Sequence, residues 1–283
     1  MLTFALPGRR RIQATKPNAA GLKLLNLGCG ARRHPAWTNA DLAPAGDDVL
    51  HVDLRKPLPF PDREFDAVYA SHVLEHLTPR EAAHLLGEVR RVLRPGGIAR
   101  VVVPDLEGIV RDYLAAVDAL DGGDDEACWR HRWMTIELLD QLVRTSPGGA
   151  MARWWSCNPV PADAFIRRRL GVQATAAIEA IRSQQAATGK PPLRPTEILH
   201  APPTSDRKAL RFSNSGERHK WMYDRISLGA LLTASGFCEP RRVTAVESRI
   251  ADFPAYELDA DVEGAVHKPD SLFMEAVAAT AAR

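Results

Sequence analysis

From Leu24 to Val103 the chain repeatedly sets a short apolar run against a glycine turn or an acidic residue, and this rhythm constrains the fold most. Leu24 to Leu27 reads as a first strand, ended by Gly28-Cys29-Gly30. Trp37 to Leu42 is a second, Val49 to Leu54 a third, Phe65 to Ala70 a fourth and Ile98 to Val103 a β-branched fifth. Between the fourth and fifth, Ser71 is a candidate N-cap for a helix beginning at His72 to Leu77. Pro79 to Leu93 continues or restarts it, with Leu85, Leu86, Val89 and Leu93 at helical spacing and Pro95-Gly96-Gly97 as its stop. Strands alternating with helices predict an α/β fold with a parallel sheet covered by helices.

A further helix is expected at Glu107 to Leu120, and Asp121-Gly122-Gly123-Asp124-Asp125 marks a boundary. From residue 121 to residue 215 the alternation fails, leaving helical patches such as Thr135 to Val143 and Thr175 to Arg182. Pro191, Pro192, Pro195, Pro202 and Pro203 crowd one stretch there, which predicts an irregular loop. The alternation resumes with a helix at Ser227 to Ser235 stopped by Gly236, a strand at Arg242 to Ser248 and a last strand at Ser271 to Val277. The expected organisation is an N-terminal extension (1–20), a core (21–120), an inserted helical cap (121–215) and a C-terminal completion of the core (216–283).

At 45% hydrophobic and 25% charged residues over 283, the composition excludes disorder and fibrous repeats. Lys+Arg 37 against Asp+Glu 35 leaves a formal charge of +2, far from the one-sided field of a nonspecific nucleic-acid binder, so no nucleic acid is expected as a partner. The four cysteines, Cys29, Cys128, Cys157 and Cys238, form no C-x-x-C pair, which fits a reducing cytoplasm better than a disulfide framework or a thiolate zinc site. No apolar run reaches the roughly 20 residues that span a bilayer. The start, with Pro7, Gly8 and Arg9 to Arg11, reads as a solvated basic segment rather than an export signal.

Chemistry concentrates at the predicted strand ends. A glycine turn lets a ligand approach the backbone, and a carboxylate at the end of a neighbouring strand can accept both hydroxyls of a ribose, so Gly28 to Gly30 with Asp41 and Asp53 form a nucleoside-binding layout. A dinucleotide site would need G-x-G-x-x-G and a helix N-terminus on the pyrophosphate, whereas position 33 is Arg33 and Pro35 interrupts any helix. S-adenosylmethionine has a ribose and an adenine but no phosphate, and its demands match what is present.

Leu25-Asn26-Leu27-Gly28-Cys29-Gly30, Pro59-Phe60 with Phe65-Asp66, His72-Val73-Leu74-Glu75-His76-Leu77 and Val92-Leu93-Arg94-Pro95-Gly96-Gly97 resemble, in their order, class I S-adenosylmethionine-dependent methyltransferases of the type 11 group. The resemblance covers about residues 22 to 106. It implies a Rossmann-like, mostly parallel sheet with an antiparallel last strand and an inserted helical cap. It also implies that Asn26 and Gly28-Cys29-Gly30 lie under the methionine portion, that Asp41 with Leu42 holds the ribose, that Asp53 and Leu54 flank the adenine, and that Ser71 and His72 lie near the methyl donor. Arg218 to Asp224 and Lys268 to Leu272 resemble a subset associated with bacterial polysaccharides and cell-surface glycans, which points to a hydroxyl of a small molecule or glycan as acceptor. His76 and His219 are the candidate bases for such a hydroxyl.

His72, Glu75 and His76, at i, i+3 and i+4, would share one helix face, where they could flank the cofactor, act on a proton, bind a divalent metal or simply pack; no metal is expected, because His72 stands where metal-using relatives carry an acid. Trp154-Trp155 could stack on an acceptor or belong to a core. The competing readings are an RNA methyltransferase, a nicotinamide-dependent reductase and a nonenzymatic binding module. The first should show a basic, aromatic-interleaved face, the second a Tyr-x-x-x-Lys pair, and the third should tolerate loss of Asp41 and Gly30.

Overall fold

The structure, a computed structural model, describes residues 17–199, 205–213 and 215–279; the basic segment Arg9 to Arg11 and the prolines Pro202 and Pro203 lie outside them. In chain order the elements are β1 (Leu24–Leu27), β2 (Thr38–Asp41), β3 (Val49–His51), β4 (Phe65–Ser71), α1 (Pro79–Val92) and β5 (Leu93–Pro104). Then come α2 (Leu106–Asp121), α3 (Ala127–Val143), α4 (Gly149–Trp155), α5 (Asp163–Leu170), α6 (Val172–Thr188) and α7 (Asp206–Ser213). The chain closes with α8 (Arg225–Ala234), β6 (Phe237–Val243) and β7 (Ser271–Ala278). It divides into two compact units, one running to Val103 and resuming at Arg225–Leu258 and from Phe273, the other formed by Pro104–Asp224 and Asp259–Leu272.

The first unit is built on a seven-stranded sheet in the order β3-β2-β1-β4-β5-β7-β6. β3, β2, β1, β4 and β5 pair in parallel, and β7 pairs antiparallel with β6, so the expected mixed α/β sheet is present. The central strand β1, Leu24-Leu25-Asn26-Leu27, is buried along its whole length, as a strand covered on both faces must be. α1 is capped at Thr78, not Ser71: the Thr78 hydroxyl accepts from the Glu81 N–H while the Glu81 carboxylate accepts from the Thr78 N–H, a reciprocal capping box. Its buried stripe of Ala82, Leu85, Leu86, Val89 and Val92 contains Leu85, Leu86 and Val89 of the periodicity read in the sequence, while Leu93, read there as helical, begins β5.

The connections 28–37 and 42–48 contain turns and no helix. Aromatic side chains fill in against the sheet. Trp37 meets Tyr69, Phe253 and Tyr256 edge-on at 6.0, 6.3 and 5.5 Å between centroids, so the short 3-10 turn Phe253–Tyr256 buries rings on a region without a crossover helix. That turn is held by a buried ion pair that nothing in the apolar text of β5 and β7 advertised. Arg100 and Glu275, both fully buried, lie 2.9 Å apart, and the Arg100 guanidinium also donates to the carbonyls of Thr244, Ala245 and Glu247 and stacks 4.2 Å from the Phe253 centroid. This explains a correction. The strand expected at Arg242 to Ser248 lies instead at Phe237–Val243, directly after Gly236, because Thr244 to Glu247 turn back on themselves and give their carbonyls to Arg100 rather than to a neighbouring strand.

The second unit is helical. Its core holds Ile109, Trp133, Met134, Trp154, Ile166, Leu170, Ile178 and Ile198. Trp154 is 1% exposed, its indole N–H donates to the Pro161 carbonyl at 2.9 Å, and it packs edge-on against Trp133 and Trp129, so of the two readings of Trp154-Trp155 the core reading holds for Trp154. The described part of the proline-rich stretch is irregular, as expected, with one 3-10 turn at Pro195–Glu197, and it is tied down: Leu193 N–H donates to Ser156 O at 3.0 Å, and Ile198 is buried while Arg153 Nε holds its carbonyl at 2.8 Å. Residues 259–272 join this unit through Gly171, whose φ of 62° and lack of a side chain admit Pro269; a Cβ there would lie 2.8 Å from Pro269 Cδ.

Candidate functional site

The strand order reverses at β1, which has β2 on one side and β4 on the other. At such a switch point the connections leave in opposite directions and open a crevice outside the carboxyl ends of the strands. The residues following β1, β2, β3 and β4 are Gly28, Leu42, Val52 and His72, so the glycine turn, Asp41, Asp53 and the His72 turn gather on one edge of this sheet.

Gly28 is required twice over. Its φ is 65°, and an added Cβ would lie 2.4 Å from Val73 Cγ2, so the glycine turn and the turn after β4 sit against each other. Gly30, at φ 50°, differs: nothing lies within 4 Å of where its Cβ would be, and that open space is what a ligand resting on the backbone needs. Asn26 is 1% exposed and its amide donates to Arg32 O at 2.9 Å and Asn39 Oδ1 at 3.0 Å, so it braces the loop that carries the turn. Cys29 is buried between the glycines, and burial followed by the nearby Asp41 charge pushes its thiol up, leaving it protonated and poorly nucleophilic.

Asp41, the last residue of β2, takes one N–H on each oxygen: Gly30 N to Oδ2 at 2.9 Å and Ala43 N to Oδ1 at 2.8 Å. This fixes the carboxylate at the turn with further lone pairs left on both oxygens, which is what bidentate recognition of a vicinal diol requires. Its neighbour Leu42 is 42% exposed. Asp53 is clamped by Arg55, which donates from Nε at 2.8 Å and Nη2 at 3.1 Å, so hydrogen bonding to Arg55 holds the carboxyl at about 2. Leu54 Cδ1 lies 3.8 Å from the Gly28 Cβ position, bringing this segment to the same turn.

Ser71 ends β4 and does not cap a helix. His72 has a left-handed backbone, φ 54°, and only a single 3-10 turn, Leu74–His76, follows, so the three residues read as one helical face are not on a helix. Glu75 is fully buried there, with Oε1 3.0 Å from His72 Nδ1, and so orients the imidazole from below. A left-handed non-glycine residue beside a ligand crevice is the kind of strain that functional sites retain. His76 is half-buried on the same turn of the first unit. His219 belongs to the second unit, where it is 5% exposed and its backbone N–H donates to Gln141 O at 3.0 Å.

Because residues 28–37 contain no helix, the glycine turn does not lead directly into a helix N-terminus, the usual seat of a pyrophosphate. A glycine cradle with a fixed diol acceptor and no helix directly after it suits an uncharged nucleoside end, as in S-adenosylmethionine.

Parts of the chain are similar to known proteins. Residues 30–101 match a family described as a methyltransferase domain. The uncharacterized methyltransferase sll0829 of Synechocystis sp. is 31% identical over 103 residues, 29% of this chain and 47% of that protein. Methyltransferase GfsG of Streptomyces halstedii is 30% identical over 125 residues, 35% of this chain and 44% of that protein, so the chain spans under half the length of either relative. A solved SAM dependent methyltransferase from Archaeoglobus fulgidus aligns with 90% of this chain and 86% of its own at 12% identity and a TM-score of 0.39. Among the described residues no helix is long and apolar enough to cross a membrane. Residues 30–101 are therefore similar to a methyltransferase domain, and the similarity of the two relatives is confined to about a third of this chain.

Proposed function

We propose that this protein transfers a methyl group from S-adenosylmethionine to a hydroxyl of a small molecule or glycan. The observation that carries the cofactor half is the pairing of Gly30, open above its backbone, with Asp41, whose carboxylate is fixed against the Gly30 N–H at 2.9 Å. When bound, the cofactor supplies a methyl on a positively charged sulfur. The chain's part is positional: the Gly28–Gly30 backbone admits the ligand, Asp41 accepts the ribose hydroxyls, and Asp53 with Leu54 flanks the base. Ser71 and His72, the latter held by Glu75, border the place where the acceptor oxygen must be aligned, and alignment supplies much of the rate in such a displacement. A hydroxyl must also lose its proton, and His76 and His219 are the imidazoles we assign to that step.

The acceptor class rests on the resemblance of Arg218 to Asp224 and Lys268 to Leu272 to glycan-associated enzymes, and the four free cysteines fit a reducing compartment such as the cytoplasm. The test is a melting experiment with S-adenosylhomocysteine and with NAD. Saturating S-adenosylhomocysteine, at a hundredfold excess over its dissociation constant, is expected to add about 2.7 kcal/mol of apparent stability while NAD adds none. A shift with NAD alone would overturn the reading.

A further inference from the structure

Within the second unit, a cavity of ≈ 610 Å³ opens between the start of α3 and the start of α5. It is of the size of small-molecule clefts. Two aromatic residues, Trp129 and Phe165, line it, together with the carboxylates of Asp125, Glu126 and Asp163 and the guanidinium groups of Arg130 and Arg168. The walls are built rather than loose. Trp129 packs edge-on against the buried Trp154 at 6.0 Å, with the Arg132 guanidinium 5.1 Å from its centroid, and Arg168 stands 5.5 Å from the Phe165 centroid. Asp163 is held by Arg167 at 2.9 Å, and Arg130 pairs with Asp124. The chain enters the cleft through Ala162, which keeps a left-handed backbone at φ 54° although an alanine disfavours it; the Trp154 N–H on Pro161 O and the Ile166 N–H on Ala162 O fix that bend.

We infer that this cleft binds a neutral saccharide. Three carboxylates against two guanidinium groups give any single anion or cation both an attractive and a repulsive neighbour, so neither is selected. A polyhydroxylated ring is served by both: its hydroxyls donate to the carboxylates and accept from the guanidinium groups, while its C–H face covers an aromatic wall. The inference stands apart from the methyl-transfer reading, since the cleft lies wholly in residues 125–168 and needs none of the residues of the glycine turn.

Saturation-transfer difference NMR on the full chain tests it, with cellobiose, N,N′-diacetylchitobiose and a rhamnose disaccharide as saccharide probes and spermidine as a cationic comparator. At least one disaccharide is expected to receive saturation on its ring C–H protons. Filling the cleft by Ala164→Trp, at an exposed position, should abolish the transfer, and Trp129→Ala should weaken binding by about tenfold, the scale of a lost aromatic contact. Because Trp129 also packs on the core, melting curves accompany each variant, and the exposed Glu126→Ala supplies a second cleft variant that leaves the core untouched. Absence of transfer to all three disaccharides, transfer to spermidine alone, or transfer that persists undiminished in folded Ala164→Trp would overturn the inference.

Discussion

The two units bury charge in different ways. In the first, Arg100 and Glu275 are each 0% exposed, and the pair is closed by backbone: Arg100 is shared among three carbonyls, and Glu275 accepts from the Ser248 hydroxyl and the Arg249 N–H. In the second, Glu137 takes the Trp133 indole N–H at 2.8 Å and the guanidinium of Arg169, which reaches on to Asp112 at the 44%-exposed rim. Burial outweighs these partners and pushes the Glu137 carboxyl up, while desolvation of Arg169 is outweighed by its carboxylate neighbours and that group stays charged. A fully coordinated pair locks a loop onto a sheet. A pair whose acid is raised makes the helical unit responsive to pH.

Breaking this contrast should have its largest effect in the first unit. Arg100→Met strands a buried carboxylate and releases the Thr244–Glu247 carbonyls, so chemical denaturation should show a loss of about 3–5 kcal/mol. Arg169→Met should cost less at low pH than at high pH, because burial already favours the protonated Glu137 carboxyl and a proton there relieves the loss of its partner. Equal losses in the two variants at every pH would erase the distinction between the units.

Next in size is the glycine turn, where two glycines of similar backbone should separate by what surrounds them. Gly28→Ala drives a methyl into Val73 and should destabilise by about 1–3 kcal/mol. Gly30→Ala meets open space, so only its φ of 50° is strained, at a cost of about 1 kcal/mol, and its main effect should fall on ligand affinity. Thermal unfolding with and without S-adenosylhomocysteine separates the two effects, and a larger stability loss at Gly30 than at Gly28 would contradict the geometry.

The pH response of Glu137 sharpens the comparison further. Its folded value lies above the unfolded value of 4.5, so between those two values the native state holds a proton that the unfolded chain has released. Stability therefore falls as pH rises from about 4.5 to the folded value and is flat beyond it. Glu137→Gln should flatten that slope in a stability–pH series, and an unchanged slope would remove Glu137 as its source.

The smallest effect is expected at Asp53. Arg55 lowers it from 3.8 to about 2, so its contribution is present above 3.8 and lost as pH falls from there to about 2. Arg55→Ala should return the Asp53 titration, followed by NMR, towards 3.8 while changing stability by less than about 1 kcal/mol, since Arg55 is 45% exposed.

The same two regions differ in how much of them was legible in the sequence. The strands of the first unit announce themselves because burial on both faces demands unbroken apolar runs such as Leu24-Leu25, and strand-end acids and glycines are local signals. What escaped there was long-range. Arg100 and Glu275 are separated by most of the chain, and only their pairing shows why the strand near residue 242 stops at Val243. His72 misled because a spacing of three and four fits a helix, whereas its left-handed backbone ends the strand and turns the chain before the 3-10 turn. In the second unit, parts of α3 and α6 followed from periodicity while the short α4, α5 and α7 did not, and the choice between stacking and packing for Trp154 stayed open because no local pattern reveals its partners Trp129 and Trp133. The cluster of prolines rightly suggested an irregular loop, but nothing local showed that Ile198 and Arg153 would anchor it to the core.

Calorimetric titration of S-adenosylhomocysteine into the wild-type protein and into Asp41→Ala tests the central claim most directly, since Asp41 joins the glycine turn to the ribose end of the ligand. Binding to the wild type with affinity reduced about 10- to 100-fold in Asp41→Ala is expected, the scale of lost charge-assisted hydrogen bonds. Equal affinities in the two proteins, with both folded, would place the cofactor elsewhere and contradict the account.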